Sequence, residues 1–125
     1  MPNETNLKCD ATSQTWTDAP ASNEQKPVNC VTWYESFAFC IWDSGCLPTE
    51  AEWGYVAAGG DENGLYPWGA AAPSSVRVSA TIVNVGSVPT GAGRWTHQDL
   101  AGGVYEWMLD EYDAAWYSGA GNRDQ

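Results

Sequence analysis

The chain has 125 residues, 43% apolar and 17% charged, which suits one folded domain and is too apolar for a disordered chain. Its net charge is −11, and Lys8, Lys26, Arg77, Arg94 and Arg123 are its five cations, with no two clustered. A surface that binds phosphate backbones or anionic lipid needs clustered Lys and Arg, so nucleic acid and an anionic membrane are both disfavoured as partners, whereas a hard divalent cation suits the acidic balance.

Residues 1–26 are polar, with Pro2 and Pro20, and read as irregular structure anchored by Trp16. The opening MPNETNLKCD has no apolar stretch of the signal-peptide kind, and no run in the chain reaches the roughly 20 apolar residues of a membrane span. At residue 28 the texture changes. Thr32-Trp33-Tyr34-Glu35 is a T-x-x-E capping box, and Trp33, Phe37, Cys40 and Ile41 then recur at helical spacing. The spacing predicts a helix over about 33–43, stopped by Ser44-Gly45. A second box, Thr49-Glu50-Ala51-Glu52, predicts another helix running to about Ala58, with Gly59-Gly60 as its left-handed stop. Gly54 lies inside it at a cost of about 1 kcal/mol relative to alanine.

Residues 61–98 read as loops. Tyr66-Pro67-Trp68-Gly69 is a turn with two aromatic anchors, Val76 to Val85 offers short β-prone runs, and Gly91-Ala92-Gly93 is a further turn. DLAGGVYEW follows at 99–107, and Val104, Trp107 and Leu109 suggest a short strand. The final GAGNRDQ reads as a mobile tail.

The stretch from Asp99 to Glu106 has the makings of a cation loop. Ca2+ takes six to eight oxygens, backbone carbonyls included, and a glycine turn aims carbonyls without Cβ obstruction. On pattern alone, a turn whose acids face water is the commoner arrangement. His97 has no nucleophile near it in sequence and reads as a turn residue, while Glu50 and Glu52 are explained by the helix dipole. The four cysteines form no CxxC pair and His97 is the single histidine, which argues against zinc. An even cysteine count leans towards an oxidising compartment and allows three full pairings. Cys40 and Cys46 could pair across the helix end, or Cys9 and Cys30 could pair and leave those two free. Cys9–Cys30 is favoured because it would staple the irregular segment to the first helix.

PVNCVTWYESFAFCIWDSGCLPTEAEWGYVAAGG, then LYPWG, VGSVPTGAGRW and DLAGGVYEW, resemble the formylglycine-generating enzyme family, also called the sulfatase-modifying factor family. Within it, the acidic, cysteine-bearing sequence is similar to exported bacterial members, and this implies a periplasmic, secreted or cell-surface location. The resemblance implies an α+β, C-type-lectin-like fold with two short helices, irregular loops and short strands. It divides the chain into an irregular segment at 1–26, a family-like core at 27–112 and a flexible tail at 113–125, together one partial domain. It also implies a structural Ca2+ held by the Asp99 side chain, the carbonyls of Gly102 and Val104, and the Glu106 carboxylate.

The departures from the family pattern bear on activity. The family's catalytic cysteine pair, which binds copper and oxidises a substrate cysteine to formylglycine, follows an R-G-G-S-W stretch that these residues do not contain. No cysteine present maps onto that pair, so no catalytic residue is assigned and no copper is expected. Cys46 stands where the family has Arg, Gly54 where it has Glu, Gly103 where it has Asn, and Tyr105 where it has Trp; each change could cost on the order of 1–3 kcal/mol. Three functions are open on this reading: a domain of an enzyme family without its catalytic half, a calcium-stabilised lectin-like module binding a protein or glycan, or a structural domain of a surface assembly.

Overall fold

The computed structural model describes residues 8–116. The two capping boxes start its two α-helices, α1 (Trp33–Trp42) and α2 (Glu50–Ala57). In the first, the Thr32 N–H donates to Glu35 Oε2 at 2.8 Å and the Glu35 N–H to Thr32 Oγ1 at 3.3 Å. In the second, the Thr49 N–H donates to Glu52 Oε2 at 2.9 Å and the Glu52 N–H to Thr49 Oγ1 at 3.2 Å. Each box satisfies two of the backbone donors that a helix start leaves open. The Thr49 backbone N–H, and then its hydroxyl, hold the Glu52 carboxyl below its ordinary range. A lowered carboxylate pKa means that this cap contributes fully above the ordinary Glu range and is lost as pH falls through the lowered value.

Both helix ends use left-handed residues. After α1, Ser44 takes φ 65°, its N–H donates to the Ile41 carbonyl at 3.1 Å, and the Gly45 N–H reaches the Cys40 carbonyl at 2.7 Å. This is a Schellman stop in which serine, not the neighbouring glycine, occupies the strained position. After α2, Gly59 and Gly60 have φ 73° and 68° and lead into a short 3-10 turn, Gly60–Glu62. A Cβ on Gly60 would sit 2.9 Å from both the Trp95 and Tyr55 rings, which stack with centroids 5.7 Å apart. Arg94 donates to the Gly59 carbonyl at 3.1 Å and pairs with Glu62 at 3.2 Å, holding residues 93–95 against this corner.

The β half of the expected α+β class is not found among the described residues. They contain no strand, only isolated bridges at Tyr66–Gly69 and Ser79–Gly102. The β-prone run at 76–85 is cut by turns, with the Arg77 and Val78 N–H groups both donating to Ser74 and the Ser87 N–H to Asn84. The strand expected around 104–109 is likewise absent. That segment is held singly: the Trp107 indole donates to the Val31 carbonyl at 3.0 Å and the Leu109 N–H to that of Pro48 at 2.8 Å. A ladder needs a neighbouring extended chain in register, and here each contact is made to a different element.

The expected turn at Tyr66–Gly69 is present, closed by two backbone hydrogen bonds with Tyr66 and Trp68 stacked, while the one expected at 91–93 is flanked by a short 3-10 turn, Pro89–Gly91, and by a bond from the Gly93 N–H to the His97 carbonyl at 2.8 Å. Leu47, between the helices, is buried, as is Thr15, whose hydroxyl donates to the Pro27 carbonyl at 2.8 Å. Asn29 completes that clasp, accepting from the Thr15 N–H at 2.9 Å. Trp16 is half-buried beside it and its indole N–H has no partner. A disulfide joins Cys9 to Cys30, with Cα atoms 5.7 Å apart. Cys40 and Cys46 are free thiols. Of the expected flexible tail at 113–125, residues from 117 onward lie outside the described residues, as do residues 1–7 of the irregular N-terminal segment. Among the described residues no helix is long and apolar enough to cross a membrane.

Candidate functional site

The loop from Asp99 to Trp107 turns on three left-handed residues, Asp99 (φ 61°), Gly102 (φ 85°) and Gly103 (φ 74°). Aspartate tolerates this region better than most side chains, and glycine adopts it without strain. The turn brings Gly102 against the 78–79 backbone, where the Gly103 N–H donates to the Ser79 carbonyl at 3.3 Å. A Cβ on Gly102 would overlap that same carbonyl oxygen and lie 2.6 Å from Val78 Cγ2. Glycine is required here for two reasons, the sign of φ and the lack of room.

The two carboxylates of the loop are fastened by different elements. Asp99 Oδ2 accepts from the Gly86 N–H at 2.7 Å. Glu106 Oε2 accepts from the Trp53 indole N–H of α2 at 2.6 Å, across 53 residues of chain. A short bond from an indole to a carboxylate is charge-assisted and fixes both groups. Asp99, Gly102, Val104 and Glu106 border a common cavity of about 220 Å3, which Arg77 and Gln98 also line. The same four residues border an open cleft of about 700 Å3, alongside Glu50, Trp53 and Gly54.

This donor set suits a hard cation of modest affinity. It offers oxygen only, from two carboxylates and the carbonyls of a glycine turn, and each carboxylate uses a single oxygen in the bonds above. Among the described residues, no three His, Cys, Asp or Glu side chains converge as a metal-binding group. A cation at this loop would have to draw on main-chain carbonyls and water for most of its shell.

The other candidate residues fall elsewhere. His97 is exposed, and its carbonyl accepts from the Gly93 N–H at 2.8 Å. Glu52 is engaged in its cap, and the Glu50 N–H donates to Asp110 Oδ1 at 2.8 Å, tying α2 to the segment after the loop. Cys40 is half-buried on α1 and Cys46 is exposed ahead of Leu47. Sequence reasoning missed Trp53 and Gly86 as partners of the two acids. An indole on a half-buried helix needs an acceptor, and this was the available signal for Trp53; nothing local pointed to Gly86.

Comparison with known proteins bears on this loop and the helices that hold it. The family described as "Sulfatase-modifying factor enzyme 1-like domain" matches residues 4–123. The chain is 31% identical over 107 residues to "Inactive C-alpha-formylglycine-generating enzyme 2" of Bos taurus, covering 71% of this chain and 34% of that protein. It is 31% identical over 108 residues to "Formylglycine-generating enzyme" of Thermomonospora curvata, covering 74% and 36%. It is 30% identical over 121 residues to "Hercynine oxygenase" of Mycolicibacterium thermoresistibile, covering 79% and 27%. The chain thus spans about a third of the length of these relatives. No solved structure matches.

Proposed function

The chain belongs to the sulfatase-modifying factor enzyme 1-like family, and from that premise we propose that these residues form a calcium-stabilised, non-catalytic module of it that binds or displays a protein or glycan partner outside the cytoplasm. The observation that carries the reading is the 99–106 loop, where two separately anchored carboxylates and a glycine turn border one cavity. Asp99, Gly102, Val104 and Glu106 would hold the ion. When bound, Ca2+ supplies a fixed positive charge that draws the loop, α2 and the 84–87 turn together. The Cys9–Cys30 disulfide supports an oxidising location.

The non-catalytic part of the proposal rests on the cysteines. Two are spent in the disulfide, and the other two, Cys40 and Cys46, lie on and just after α1. One relative of similar identity is itself named inactive. Incubation of this chain with Cu(I), O2 and a cysteine-containing peptide is expected to leave the peptide thiol unconverted by mass spectrometry. A product carrying formylglycine refutes this part.

Calcium is tested by melting. Saturating Ca2+ after chelation is expected to raise the stability by about 2 kcal/mol, or the melting temperature by about 7 °C, as for weak extracellular sites. Asp99→Asn and Glu106→Gln keep acceptors for the Gly86 and Trp53 N–H groups while removing charge, so each is expected to abolish the response with little change in the calcium-free melt. No shift at saturating Ca2+ removes the ion from the account.

A further inference from the structure

Trp53 lies in α2, four residues after the Thr49 cap. The start of that helix is tied to the chain just beyond Glu106. The Leu109 N–H donates to the Pro48 carbonyl at 2.8 Å, and the Glu50 N–H to Asp110 Oδ1 at 2.8 Å. With the Trp53–Glu106 bond at 2.6 Å, three hydrogen bonds join residues 48–53 to residues 106–110 and fix the indole relative to the carboxylate. An indole has one N–H and no acceptor, so the bond occupies Glu106 Oε2 and leaves Oε1 facing other groups. The Gly86 N–H does the same to Asp99, occupying Oδ2.

These two bonds set how many oxygens the loop can offer. Among the described residues, each acid keeps one oxygen outside its bond, and the carbonyls of Gly102 and Val104 bring the protein's share to four. Two waters would complete an octahedron. Mg2+ demands an octahedron and keeps its waters, whereas Ca2+ accepts six to eight oxygens and gains over Mg2+ from a carboxylate that gives both of its own. Glu106 cannot give both while Trp53 donates to it, because a cation on Oε2 would stand against the positive end of the indole N–H.

We propose that Trp53 is a positioning residue that holds Glu106 to one oxygen, and so limits the preference of this loop for Ca2+ over Mg2+. The proposal rests on the cation reading of the loop given above. Asp99 has the same restraint from a backbone N–H, which no side-chain change removes, so selectivity is adjustable at Trp53 alone of the two.

Calorimetric titration of the parent chain and of Trp53→Phe, with Ca2+ and Mg2+ in turn, tests this. Phenylalanine keeps a ring on α2 and removes the donor. The preference for Ca2+ over Mg2+ is expected to be about tenfold larger in Trp53→Phe, since the octahedral ion loses an oriented ligand and Ca2+ recovers the freed Oε2. Infrared difference spectra on Ca2+ addition read the carboxylate directly. One-oxygen binding raises its antisymmetric stretch, expected in the parent; two-oxygen binding lowers it, expected in Trp53→Phe; and Glu106→Gln identifies the band by removing it. An equal loss of affinity for both ions in Trp53→Phe overturns the proposal and leaves the cation site standing, as does an unchanged preference or a two-oxygen band in the parent. A parent chain that binds neither ion overturns the cation reading itself, and this proposal with it.

Discussion

Removing the Cys9–Cys30 bond is expected to destabilise the chain by about 3 kcal/mol, the chain-entropy value for a loop of this length, and to lower the melting temperature by about 10 °C. The two cysteines are 21 residues apart, and the segment between them has little else to hold it. Its anchors are the Thr15–Asn29–Pro27 clasp and one bond from the Val85 N–H to the Gln25 carbonyl at 2.8 Å. Cys30 itself sits at φ 63°, in the left-handed region that costs a non-glycine residue energy. Cys9→Ser and Cys30→Ser, made with Cys40 and Cys46 also replaced by serine, exclude thiol exchange from the comparison. Thermal melts are expected to show the same drop for either variant and for the parent with its disulfide reduced. A drop below about 1 kcal/mol would mean that the 9–30 segment adds little to folding on the rest of the chain.

Gly102→Ala is expected to cost about 3 kcal/mol and to eliminate the calcium response. A left-handed φ of 85° contributes about 1–2 kcal/mol of that for any residue with a Cβ. The remainder comes from overlap with the Ser79 carbonyl oxygen and Val78 Cγ2. The carbonyl is backbone and cannot move aside without losing the Gly103 N–H bond it accepts. Gly103 is the control. Its φ of 74° is similarly left-handed, yet a Cβ there meets nothing within 4 Å. Gly103→Ala is therefore expected to cost only the conformational part, about 1 kcal/mol, and Gly103→Asn less, since asparagine tolerates this region. Equal melting temperatures for the alanine variants at 102 and 103 would mean that the close approach to Ser79 is not kept in solution.

The helices were legible in the sequence because their information is local. Thr32 and Glu35, or Thr49 and Glu52, lie within one turn of each other, and the bonds they form follow from that spacing alone. The stop after α1 was read at the right place, although serine rather than glycine takes the left-handed residue. The strands were not legible, because alternating or β-branched residues describe what a strand buries, not what pairs with it. Val76 to Val85 and Val104 to Leu109 have suitable residues and no adjacent extended partner. The loop was visible as a glycine turn between two acids, and the choice of Asp99, Gly102, Val104 and Glu106 came from family resemblance. The groups that hold those acids, Gly86 and Trp53, lie 13 and 53 residues away in sequence. Contacts at such separations leave no local signature, since tertiary packing alone brings them together.

The corner at Gly60 constrains how this sequence can drift over generations. Tyr55 and Trp95 close over a glycine with no space for a methyl group between them. A side chain at 60 therefore forces the exposed ends of these rings to swing aside, and is better tolerated in descendants that have already lost one of them. Even then the left-handed backbone favours asparagine over alanine as the first replacement. The three positions are therefore coupled, and replacing an aromatic residue first eases the replacement of the glycine.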